Sequence, residues 1–140
     1  MFSKENILKL NVFVLFMAAI MDLIRGIMHT YGVKYAAVNL AGIEPIPDSL
    51  VLMGSFGISN FLTAFIYFLV IWKARELAPY VLIFIPISYV IGALGFTQFQ
   101  NVPLEAEFLG QYLMKPYLII CAITALTYFL PFRSGQLKSS

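Results

Sequence analysis

The sequence predicts an all-α polytopic membrane protein: four transmembrane helices in an antiparallel bundle, with a short interfacial helix between the first and second. Three observations predict it. Of 140 residues, 61% are hydrophobic and only 11% charged, more apolar than water-soluble domains tolerate. Four mostly apolar windows, 10–30, 49–72, 77–98 and 107–131, are each long enough at 1.5 Å per residue to cross a hydrocarbon core of about 30 Å. Between them stand helix breakers and charges: Glu44-Pro45-Ile46-Pro47-Asp48, then Lys73-Ala74-Arg75-Glu76, then Gln100-Asn101-Val102-Pro103-Leu104-Glu105.

The first window follows Lys4 and Lys9, an arrangement shared with signal peptides. Ala18-Ala19 is not followed by a convincing cleavage site and apolar character resumes beyond Asp22, so the segment is expected to stay as a helix. Residues 31–42 are too apolar for a plain loop. Tyr35, Ala36, Ala37 and Leu40 fit a short helix in the outer interface, ended by Gly42, with a re-entrant stub as the alternative. The second connection is tight, and Pro79 sits where the first turn of the third helix tolerates a missing N–H. Pro86 and Pro116 fall inside the third and fourth windows and free a carbonyl in each. Residues 1–132 thus form one transmembrane domain, and 133–140 a polar, disordered tail.

Basic residues set the orientation. Lys4, Lys9, Lys73, Arg75, Arg133 and Lys138 flank one side, while the other two connections hold only Lys34. Both termini are therefore expected in the cytoplasm, in a bacterial inner membrane.

Ionisable side chains inside a span cost at least about 2.5–3.5 kcal/mol on insertion scales, so those present mark where the interior compensates them. Asp22, Arg25 and His29 share one face of the first helix, at i, i+3 and i+7; Glu107, Gln111 and Lys115 share one face of the fourth, at i, i+4 and i+8. Counted by rise per residue, Asp22 lies about 12 Å below the outer edge and Lys115 about 10 Å. The count also sets Arg25 level with Gln111 and puts His29 near Glu107 at the rim. Two arrangements follow for Asp22: opposition to Lys115 across the bundle, or an i, i+3 pair with Arg25. Lys115 has its own alternative, snorkelling outward beside Glu107.

Gly54 and Gly57 on the second span, and Gly92 and Gly95 on the third, remove side-chain bulk, for close helix packing or for a guest. Asn60, about 16 Å from the outer edge, and Gln98 at the rim add amides, and Tyr89, Tyr112 and Tyr117 add hydroxyls. These residues outline a candidate ligand site of Asp22, Arg25, His29, Asn60, Gln98, Glu107, Gln111, Tyr112 and Lys115.

Several function classes are excluded. A formal net charge of +2 is far from the basic stripe of a nucleic-acid binder. One Cys (Cys121) and one His (His29) exclude a disulfide framework, a Cys/His zinc site and an iron–sulfur cluster from this chain alone. Haem ligation through His29 would need a second chain for a bis-histidine site. No P-loop, G-x-S-x-G elbow or H-E-x-x-H motif occurs, which leaves catalysis open.

Four short spans, an Arg25-Gly26 step near the outer end of the first and Gly-rich second and third spans resemble the DoxX-like group of small bacterial four-helix membrane proteins. The resemblance implies a small membrane subunit, in some members associated with quinone-linked oxidation, and carries over no catalytic residue. The expectation is a protein that binds a small amphiphile, a lipid or a quinone, in a polar pocket open to the outer half of the membrane. Two other readings stand beside it: an accessory subunit docked on a membrane-protein partner, and a proton-coupled small-molecule transporter working as a homo-oligomer, namely a dimer.

Overall fold

The computed structural model describes residues 3–99 and 109–130, with the side chains of Phe96, Phe99, Leu109 and Gln111 excepted. Its elements are α1 (Lys4–Thr30), α2 (Val33–Tyr35, prolonged by a wider π-helical stretch, Ala36–Ala41), α3 (Pro47–Lys73), a single 3-10 turn (Arg75–Leu77), α4 (Ala78–Leu94, prolonged by Gly95–Phe99) and α5 (Leu109–Phe129). Among the described residues, four helices are long and apolar enough to cross a membrane, over Lys4–Thr30, Pro47–Lys73, Arg75–Leu94 and Tyr112–Phe129.

Helix α1 begins six residues before its apolar window, for local reasons. Ser3 caps it, its hydroxyl accepting from the Asn6 backbone N–H at 3.2 Å, and Glu5 and Lys9 pair at 2.7 Å across one turn. Helix α3 opens on Pro47 in its first turn, where a missing N–H costs nothing. The stretch after α2 ends at Gly42, whose φ of +63° is a left-handed conformation that only glycine adopts freely. Pro86 and Pro116 stay within continuous helix.

Polar side chains on the apolar helices are satisfied mainly on their own backbone. Ser55, Thr63, Ser88 and Thr97 each donate to the carbonyl four residues back, at 2.9–3.0 Å. A hydroxyl bonded this way can face lipid, because no donor is left without a partner.

Helix α1 is central. Its buried residues Ile7, Asn11, Leu15, Ala18, Ala19, Asp22 and Gly26 recur every three or four positions and form one stripe. Leu15, Ala18 and Ala19 join Tyr67 of α3, Ala78, Leu82 and Ile85 of α4, and Cys121 and Ala125 of α5 in a single core. The alanines let backbones approach, which matters where lipid tails are as apolar as the core and burial alone drives little. The principal partner of α3 is α1, while α4 and α5 pack on each other and on α1.

The α1–α3 seam depends on two glycines. A Cβ on Gly57 would lie 2.6 Å from Thr30 Cγ2 and 3.0 Å from the His29 carbonyl carbon, and one on Gly26 would lie 2.7 Å from the Phe61 ring. Further along, Phe16 and Phe68 meet edge to face with ring centres 6.0 Å apart.

Candidate functional site

Where α1 leaves its alanine-rich stretch, the buried stripe meets Asp22, which is 6% exposed. A buried carboxylate needs a partner, and Arg25, one turn on, supplies it: Arg25 Nη1 donates to Asp22 Oδ1 at 3.3 Å. The guanidinium carbon also sits 5.6 Å from the Tyr117 ring centre, so the arginine is bonded to the acid and rests against an aromatic ring.

One turn beyond Arg25, His29 Nδ1 and Asn60 Nδ2 lie 3.4 Å apart, an amide–imidazole contact between α1 and α3. Thr30 donates to the Gly26 carbonyl at 2.7 Å, keeping its methyl group on the side of Gly57.

Arg25, His29 and Asn60 open onto one cavity of about 550 Å³. Its walls come from α1, α3, α4 and α5, and the α2 segment contributes Ala36, Leu40 and Ala41. That segment packs on α1, α3 and α5, with Ala36 and Ala37 buried and Tyr35 exposed. The remaining wall is apolar and rich in methionine: Met21 and Met28 from α1, Met53 from α3 and Met114 from α5, with Phe56, Leu113 and Tyr89.

Of the nine residues singled out in the sequence, three line this cavity and Asp22 is bonded to one of them. Lys115 is exposed, and Asp22 is paired with Arg25, so the expected opposition of Asp22 and Lys115 gives way to the alternative within α1. Helix geometry gives the reason. The face that α5 turns inward carries Gly110, Met114, Tyr117 and Cys121, at i, i+4, i+7 and i+11, and Lys115 sits about 200° around the axis from Tyr117. Tyr112 and Gln98 are exposed and outside the lining. Glu107 and the Gln111 side chain lie outside the described residues.

The depth count also needs correction. It set His29 at the rim and Asn60 near the middle, yet the structure brings them level. Helix α3 begins thirteen residues before Asn60, whereas α1 ends one residue after His29. The α2 segment occupies the difference, so His29 lies inside the structure. Of the four glycines singled out, Gly57 makes the close approach; around Gly92 and Gly95 a Cβ would meet nothing within 4 Å among the described residues.

Sequence reasoning missed the methionines. Each alone reads as core filler, but four of the six in the chain stand on one cavity. Comparison of the chain with protein-family models, with curated proteins and with solved structures gives no match.

Proposed function

We propose that this chain is a small integral membrane protein that binds one amphiphile in the cavity beside Arg25, His29 and Asn60. The carrying observation is the cavity itself. Its volume of about 550 Å³ lies within the usual range for small-molecule sites, and its lining combines an apolar wall with a few convergent polar groups.

Charge balance narrows the occupant. With Lys115 exposed and outside the lining, the Arg25 charge is offset by Asp22, so an anionic head would compete with a carboxylate already bound. A neutral head with hydrogen-bond acceptors suits the remaining guanidinium N–H groups and the His29–Asn60 pair better. A lipid ester or a quinone ring answers that description, and flexible methionines suit an irregular apolar tail. In this reading the helices form an antiparallel bundle in a bacterial inner membrane, with both termini cytoplasmic and α2 in the outer interface. The cavity then opens to the outer leaflet. The pairing of Thr30 with Gly57 and of Phe16 with Phe68 supports opposed directions for α1 and α3.

Mass spectrometry of what extracts with the purified protein tests the reading. One amphiphile should accompany the wild-type chain and the Lys115→Ala variant, and should be lost from Asp22→Asn/Arg25→Gln, which removes both charges together and leaves no unpaired buried carboxylate. Equal retention in all three would overturn it. A second reading, an accessory subunit, draws on Gly92 of α4 and Gly95 just after it, where a Cβ would meet nothing within 4 Å among the described residues. It predicts a stoichiometric membrane-protein partner lost on Gly92→Leu.

A further inference from the structure

The thioethers on the cavity wall have a chemistry that amphiphile binding does not use. Among the described residues no three His, Cys, Asp or Glu side chains gather, so the wall offers no hard oxygen cage. It offers methionine sulfur from three helices beside the one histidine. Methionine sulfur and imidazole are neutral donors, and soft sulfur donors select Cu(I) among biological metals.

Register brings a subset of these donors to one end of the cavity. The Arg25–Tyr117 contact aligns α1 with α5, and Lys4 against Tyr128 shows the two helices running in opposite directions. Three residues beyond Arg25 stands Met28; three before Tyr117 stands Met114. On α3, Gly57 abuts His29 and Thr30, which puts Met53 about one turn beyond them. The Met28 sulfur is turned that way, lying 3.7 Å from where a Gly32 Cβ would be. Met21 is two turns deeper on α1, about 10 Å away.

We infer that Met28, Met53, Met114 and His29 form a site for a soft monovalent cation, Cu(I) or its redox-inert analogue Ag(I). Three thioethers and a neutral imidazole add no charge of their own, and the nearby Arg25–Asp22 pair is balanced, so among the described residues the ion's own charge is not opposed by a net charge of the lining. The Asn60 amide nitrogen lies 3.4 Å from His29 Nδ1; with Nε2 on a metal, Nδ1 carries the proton, and the amide turns over to present its oxygen as the acceptor that orients a ligating histidine. Methionine has three rotatable bonds, so its sulfur can close on an ion without backbone movement. The inference shares the cavity with the amphiphile reading but not its occupant.

The test loads the full chain in detergent with ascorbate-reduced copper, desalts it against a Cu(I) chelator, and measures metal per protein and the X-ray absorption of bound copper. One Cu(I) per chain in a sulfur-dominated shell is expected. Met28→Leu and Met114→Leu should each weaken retention by at least the roughly 10- to 100-fold that loss of an outer partner costs a metal site. Met21→Leu and Cys121→Ser should leave it unchanged. Leucine for methionine nearly conserves volume, so helicity should persist in all the methionine variants, and because the readout is bound copper it is distinguished from the amphiphile reading, whose readout is the extracted amphiphile. Substoichiometric copper in the wild type, a shell of nitrogen and oxygen alone, or loss in Cys121→Ser or Met21→Leu equal to that in Met28→Leu would each overturn the assignment.

Discussion

Along α1 the packing changes character at Asp22. The turns before it bury Leu15, Ala18 and Ala19 against α4 and α5 in a core whose buried ionisable side chains, among the described residues, are the Tyr67 phenol and the Cys121 thiol. The turns after it carry an ion pair, an amide–imidazole contact and two glycines pressed against α3, and they border an open cavity. One helix thus serves as a closely packed post at one end and as the wall of a chamber at the other. Small side chains do opposite things in the two regions. Ala18, Ala78 and Ala125 bring backbones together and leave no room, while Gly26 and Gly57 seat α3 closely on α1 beside a cavity that α4 and α5 also line.

The sharpest way to break this contrast is to remove one charge. Arg25→Ala leaves the Asp22 carboxylate buried and unpaired, and should cost about 3–5 kcal/mol in reversible unfolding from detergent, with Asp22→Asn/Arg25→Gln recovering most of it. If the single and double variants unfold alike, the pair is not what holds this end. Gly57→Leu comes next: its Cβ meets the backbone of α1, so overpacking should cost about 1–3 kcal/mol, whereas Gly92→Leu, whose Cβ meets nothing within 4 Å among the described residues, should cost almost nothing.

The core end contains one misfit of its own. Asn11 is fully buried; its Nδ2 donates to the Ile7 carbonyl at 2.9 Å, and its Oδ1 has no partner among the described residues. Asn11→Leu removes that orphaned acceptor, and should stabilise the protein by about 1 kcal/mol. A loss of similar size would show that Oδ1 is bonded in solution, for example to a buried water. The smallest effect belongs to Lys115, exposed on α5. Lys115→Ala should stay within about 0.5 kcal/mol of wild type, and a larger loss would restore it to the polar site.

The span positions, the Gly42 stop and the polar face of α1 were legible in the sequence, because each depends on local rules: chain length against membrane thickness, a left-handed turn, the 3.6-residue period. Asp22, Arg25 and His29 stand out there because polar residues in an apolar helix carry an unmistakable signal. Helix α5 shows the limit of that signal. Its polar stripe suggested an inward face, yet the structure turns Gly110, Met114, Tyr117 and Cys121 inward and leaves Lys115 outside. In a helix apolar nearly all round, periodicity cannot distinguish a face packed on protein from one facing lipid, since both are hydrophobic. That choice follows from which side chains fit against Arg25, and with it come the level pairing of His29 with Asn60 and the meeting of four methionines on one wall. All three join residues far apart in the chain, so only tertiary packing could decide them.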